Sequence, residues 1–223
     1  LIILMNYTIY ILFFLSLLSV STSPVLGRFL SADLHGVTIA FWRMVIASFI
    51  LWIVSLFNDL KPMSSINKKR TMLAGIFLGF HFALFFSSIQ KTNIAYATFL
   101  GTLAPIFTLL IELLFLKRKF NYYVIGGLMI SVIGAFIISF SDFGNTTYIY
   151  TASDNLGKIM AILCSICLAV SYMIAEKVRK DEDTFSYTKL LYLSASITLL
   201  PILIYVLNIF ETEEYIFFSN NYY

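Results

Sequence analysis

Charge is scarce in this chain. Fifteen Lys and Arg and twelve Asp and Glu make up only 12% of its 223 residues, where a soluble domain carries about a quarter. Apolar residues reach 60% and the mean hydropathy is +0.88. That composition leaves too little polar surface to cover a water-soluble fold. Cysteine is almost absent: Cys164 and Cys167 lie one helical turn apart among Ile, Leu and Ala, with no histidine nearby. A redox or metal CxxC lacks its supporting residues there, and small apolar packing is the better reading. No HExxH, GxSxG or phosphate loop occurs, so an embedded enzyme fits poorly and no metal or cofactor is expected. The first apolar run lacks a basic leader and exceeds the length of a signal-peptide core, so it reads as a retained span. Leu1–Leu4 before Met5 read as upstream sequence or an alternative start.

Long apolar runs are what the chain does have. Seven occur, at about Tyr7–Phe29, Thr38–Phe57, Thr71–Ile89, Ile94–Leu116, Tyr122–Ser141, Leu156–Val178 and Lys189–Phe210. Each approaches the ~18–20 residues that cross a bilayer as helix. The expected class is an all-α polytopic membrane protein with no separate soluble domain. Its net charge of +3 says nothing about nucleic acid, which is not an expected partner; its distribution says more. Lys61, Lys68, Lys69 and Arg70 precede the third span, Lys117–Lys119 follow the fourth, and Lys177, Arg179, Lys180 and Lys189 join the sixth to the seventh. The alternate connections hold Arg28, Lys91 and Lys158, with Arg43 just inside a span. Eleven basic residues against three place the N-terminus in the cytoplasm and the acidic end (Glu211, Glu213, Glu214) outside.

The fourth span is the most informative. It carries Pro105 near its midpoint, Gly101 four residues earlier, a lone acid at Glu112 and a basic stop at Lys117-Arg118-Lys119. Proline cannot donate to the carbonyl four residues back, which predicts a kink that frees the Gly101 carbonyl. Freed backbone within a bilayer persists only against protein, water or ligand, so this segment reads as the working helix of a transport protein. Pro24 and Pro201 predict further kinks in the first and seventh spans.

The pattern then starts again. Ser23-Pro-Val-Leu-Gly-Arg28 faces Ser171-Tyr-Met-Ile-Ala-Glu176, and Ala47-Ser48 faces Ala195-Ser196. The implied plan is two inverted five-helix repeats: 7–141, an extracytoplasmic connection at 142–155, and 156–223 as the start of a second repeat. Only two of its five spans are present, so the expectation is a fragment lacking about three.

Several pieces in order and spacing give the chain its resemblance: Ser23-Pro-Val-Leu-Gly-Arg28, Phe41-Trp-Arg-Met44, His81-Phe-Ala-Leu-Phe-Phe-Ser-Ser88, Lys91-Thr-Asn-Ile-Ala-Tyr-Ala97, Ala104-Pro-Ile-Phe107 and Gly126-Gly through Gly134. Together they resemble the EamA-like permeases of the drug/metabolite transporter superfamily. The resemblance implies a ten-span inner-membrane carrier of two inverted repeats, often an exporter of amino acids or other metabolites. One departure stands out. Family members usually close the fourth span with Leu-Gly-Glu, whereas this chain reads Leu116-Lys117-Arg118. The first span also holds no Asp or Glu, against a mechanism like that of small multidrug-resistance proteins, where a carboxylate there carries the proton.

Candidate residues each have two readings. Glu112, about 7 Å along the axis from Lys117, either snorkels to pair with Lys117 or Arg118 or acts as a proton-coupling carboxylate. Arg43 either anchors an anionic substrate group or reaches the headgroups. His81, with Phe82, Phe85 and Phe86 on adjoining turns, either relays protons or binds substrate, or bonds a neighbouring helix as a neutral imidazole. Trp42, Tyr96, Thr98, Ser16, Ser19 and Ser23 either line a cavity or pack helices, and Gly75–Gly79 has the spacing of a packing surface.

The function expected is secondary transport of small organic metabolites, amino acids among them, by alternating access, in a bacterial inner (plasma) membrane. A seven-helix receptor, or an embedded enzyme or scaffold, is the alternative. The expected partners are a small-molecule substrate and the lipid bilayer, with a proton as candidate coupling ion and a homodimer left open.

Overall fold

A computed structural model describes residues 2–58, 62–118, 121–140 and 152–211. Lys61, Lys119, most of the 142–155 connection, Glu213 and Glu214 lie outside the described residues, as does the side chain of Glu211. Every element within them is a helix: α1 (Ile2–Leu30), α2 (Gly36–Ser55), α3 (Ser65–Lys91), α4 (Ile94–Gly101), α5 (Ala104–Phe115), α6 (Tyr122–Phe140), α7 (Ala152–Val178) and α8 (Thr184–Glu211). Six segments are long and apolar enough to span a membrane, counting α4 and α5 as one; α6 is apolar but shorter within its described side chains. The protein is a polytopic α-helical membrane protein.

Helix starts follow side-chain chemistry. Ser64 caps α3 by accepting from the Asn67 N–H, and Asn93 caps α4 by accepting from the Ala95 N–H at 2.8 Å. The capped, basic first turns carry α3 six residues further back than hydropathy indicates, to Ser65 rather than Thr71. The sixth and seventh spans extend in the same direction, starting at Ala152 and Thr184.

The fourth span is interrupted in the Gly101–Pro105 region, between α4 and α5. The Thr102 N–H reaches the Thr98 and Phe99 carbonyls at 2.9 and 3.2 Å, and the Leu103 N–H takes the Leu100 carbonyl. The last turn of α4 tightens in this way, and Pro105, in the first turn of α5, has no N–H to carry the ladder onward. Pro24 and Pro201 differ: α1 and α8 run through them as continuous helices.

α3 is the central element, packed against α7, α8 and α2. Phe86, Ile89, Ala74 and Leu78 are buried on it, meeting Met44 of α2 and Leu199 of α8 in one core. The Gly75–Gly79 pair faces α8, where a Cβ on Gly75 would stand 2.5 Å from that of Ser194 and 2.6 Å from the Leu191 carbonyl. Small residues let these backbones approach. Ser194 strengthens the contact by donating to the Met72 carbonyl of α3, and Ser171 of α7 donates to the Ala74 carbonyl from the other side.

The α1–α2 turn is fixed onto the end of α3. The Gln90 side chain donates to the Leu34 carbonyl at 2.7 Å and accepts from the Gly36 N–H at 2.8 Å. Arg28 donates to the Ile89 carbonyl. α1 itself is peripheral, with none of its apolar window buried. This fastening at one end leaves a space between α1, α2 and α3 over their neighbouring turns.

Candidate functional site

That space is a cavity of about 440 Å³. α1 contributes a face that recurs every three or four residues, Ser19, Thr22, Ser23 and Leu26; α2 contributes Thr38, Trp42 and Arg43; Phe86 of α3 closes the back. The walls are largely aliphatic and aromatic, with a few hydroxyls and one cation. Arg43 donates to the Ser23 hydroxyl, which ties α2 to α1. Its guanidinium lies over the Phe82 ring, 4.7 Å from the centroid, and 5.8 Å from that of Phe86. Among the described residues no acid stands within ion-pair distance of Arg43.

Four predicted site residues, Ser19, Ser23, Trp42 and Arg43, therefore meet in one cavity. His81 stands behind it. The imidazole packs on Phe82 and Phe85 with centroids 4.8 and 6.0 Å apart, and its Nδ1 is 2.9 Å from the Cys164 carbonyl on α7. It joins two helices and does not line the cavity. Thr98 is occupied locally, donating to the Ile94 carbonyl at 2.6 Å. Ser16 likewise donates to the Phe13 carbonyl. Gly101 is a packing position: a Cβ there would meet the Phe85 ring at 2.9 Å.

Tyr96 belongs to a polar cluster at the α3–α4 turn. Asp154 of α7, almost fully buried, accepts from the Thr92 hydroxyl and pairs with Lys158 at 2.6 Å. Lys158 in turn lies 4.7 Å over the Tyr96 ring. Gly157 permits this approach, since a Cβ would stand 2.9 Å from the Thr92 nitrogen.

A second polar cluster forms at the end of α5. Arg118 donates to Glu112 at 2.7 Å and, through both terminal nitrogens, to Glu176 of α7 at 3.0 and 3.2 Å. The hydrogen-bonded Glu176 carboxylate, with Glu112 behind it, raises the guanidinium above its ordinary range. Lys117 makes the turn possible with a left-handed φ of 49°. The backbone folds back so that the Arg118 N–H meets the Glu112 carbonyl at 3.3 Å. The lysine thus adopts a backbone conformation that favours glycine.

Residues 7–140 match the EamA-like transporter family. The chain belongs to that family. The family is one of transporters by description, and the described spans are long and apolar enough to lie in a membrane. A Bacillus subtilis (strain 168) protein described as an uncharacterized transporter, YxxF, is 25% identical over 149 residues. That match covers 66% of this chain and 47% of the relative, so the chain spans about half its length. No solved structure matches.

Sequence reasoning missed Thr22, Thr38 and Phe86 as cavity walls. Helical spacing could have found two of them. Thr22 lies one turn from Ser19, and Thr38 one turn before Trp42, each on a face already singled out.

Proposed function

We propose that the protein is a secondary transporter of small organic metabolites, working by alternating access, with the α1–α3 cavity as its substrate site. The observation that carries this is the Arg43–Ser23 contact inside a cavity of about 440 Å³, a volume within the range of small-molecule sites. A guanidinium placed in a span is costly unless it serves a site or an interface. The positive-inside bias orients α1 with Leu30 outward, so the cavity lies toward the extracytoplasmic side of a bacterial inner membrane. On that orientation, Thr92–Asp154 fastens α3 to α7 outside, and Arg118–Glu176 fastens α5 to α7 inside. Alternating access releases one fastening at a time. Glu112, already held by Arg118, acts as an anchor of the inner fastening rather than as a coupling carboxylate.

Two inverted repeats remain the preferred plan. α2 and α8, the second spans of the two halves, pack on each other with Ser48 and Ser196 both buried, which supports their equivalence.

Flux in proteoliposomes carrying this chain tests the function. A panel of radiolabelled organic acids, amino acids and amines should include a solute with saturable flux, reduced at least tenfold in Trp42→Ala. Absence of flux for the whole panel, with folding verified by size exclusion, counts against transport by this chain.

A further inference from the structure

We propose that the ligand of the α1–α3 cavity is an amphipathic organic anion, one carboxylate or equivalent acidic group on an apolar body, with Arg43 binding the anionic end. The proposal rests on the reading of this cavity as the substrate site.

The argument is one of unmatched charge. A guanidinium has five N–H donors and no acceptor. Among the described residues the only hydrogen-bond partner of Arg43 is the Ser23 hydroxyl. Phe82 and Phe86 offer ring faces to the cation, which stabilise it without neutralising it or satisfying its in-plane donors. No carboxylate lines the cavity. Glu112 is committed to Arg118, and Asp154 to Thr92 and Lys158. Asp33, in the turn between α1 and α2, is exposed and away from the lining. The cavity therefore holds a cation whose counter-charge comes from elsewhere. A carboxylate meets a guanidinium through two parallel bonds in the geometry that arginine favours.

The rest of the cavity sets the other end. Leu26, Ile39, Ile46 and Trp42 form an apolar wall suited to an aliphatic or aromatic body. The same lining disfavours an ammonium, which would have no carboxylate to meet and would face Arg43 across largely apolar walls. A zwitterionic amino acid thus satisfies half the site and opposes the other half. A monocarboxylate with an apolar tail satisfies both.

Four compounds of one skeleton separate these outcomes: 3-phenylpropionate, 3-phenylpropionamide, phenylalanine and 2-phenylethylamine. Binding is read from Trp42 fluorescence in the full chain carrying Trp52→Phe, reconstituted in phosphatidylcholine nanodiscs. The expected order is 3-phenylpropionate at least tenfold tighter than each of the others. Arg43→Gln should bring the acid and amide within about twofold of each other, and Arg43→Lys should keep most of the preference. The compound series in unaltered Arg43 protein stands even if Arg43→Gln does not fold. Equal binding of acid and amide, or tightest binding of the amine or amino acid, overturns the anion proposal and leaves the cavity as a site. Silence from all four overturns both. A repeat in phosphatidylglycerol nanodiscs distinguishes the source of the anion. Retained acid binding supports a soluble ligand, whereas its loss there assigns Arg43 to a lipid headgroup and overturns the proposal.

Discussion

Arg118 grips Glu176 with both terminal nitrogens, at 3.0 and 3.2 Å, and so couples the end of α5 to α7. The pair is part of a chain of charges, since Glu112 shares the same guanidinium and Lys180 bonds the same carboxylate at 3.2 Å. Reversing Arg118 places a third acid beside two others. Arg118→Glu is expected to lower thermal stability, because it leaves the buried Glu112 carboxylate unpaired beside like charges, and to release the α5 end. Amide hydrogen exchange over residues 116–118, where the Leu116 and Arg118 N–H groups bond the Glu112 carbonyl, should be faster in Arg118→Glu than in the parent. An unchanged rate removes Arg118 as a fastening.

Lys117 holds a left-handed backbone that costs a side-chain-bearing residue about 1–2 kcal/mol. Lys117→Gly should therefore stabilise the protein by about 1 kcal/mol. The check is the midpoint of thermal unfolding in detergent, which should rise.

The two sets of glycines should respond oppositely. Gly75→Ala forces a Cβ against the Ser194 side chain and the Leu191 carbonyl, and overpacking of this kind costs about 1–3 kcal/mol. Gly126→Ala meets nothing within 4 Å and should be neutral or slightly stabilising through helix propensity. Equal unfolding midpoints for the two variants would contradict the packing of α3 on α8.

His35 gives a pH dependence. Its Nδ1 accepts from the Val37 N–H at 3.2 Å, capping α2, and burial, with Lys91 nearby, lowers its pKa below the ordinary imidazole value. The neutral form is the one the fold favours. Its contribution is complete above about pH 6.5 and declines as the pH falls through the lower folded value. The difference in unfolding midpoint between the parent and His35→Asn, which caps without titrating, should shift in favour of the variant on acidification. A pH-independent difference would separate the cap from the titration.

Asp154 is the buried acid at the other end of the bundle. Asp154→Ala removes the acceptor of Thr92 and the partner of Lys158, and losing a hydrogen bond to a charged group costs about 1.5–3 kcal/mol. Thr92→Val should cost less, because the Lys158 contact persists. A double variant whose loss equals the sum of the two singles would show that Thr92 and Asp154 act independently.

Much of the architecture was legible because each span is a property of its own segment. Hydropathy placed the helices, and capping residues such as Ser64 and Asn93 extended or sharpened their ends. Pro105 marked the right region of the fourth span, but Pro24 and Pro201 are the same residue type and lie inside continuous helices. What separates them is the tightened turn at Thr102 and Leu103, which local composition does not show. The contacts of the site depend on the register of one helix against another. Arg43 and Ser23 stand 20 residues apart, and only the docking of α1 against α2 brings them together. For the same reason Tyr96, beside Arg43 on a list of aromatic and cationic candidates, belongs in space to Lys158 and Asp154. Glu112 was readable in both roles; the fold of the α5 end decides its partner.

The interruption between α4 and α5 makes the fourth span a jointed rod rather than a single beam. Its α4 half is held to α7 where Ser165 donates to the Leu100 carbonyl, and its α5 half is held to the same helix by Arg118. Because no α-helical ladder crosses Pro105, the two halves meet at a joint rather than along one continuous axis. In the proposed transport cycle, that joint would let the two halves lean separately toward opposite faces of the membrane, with α7 as the common rail.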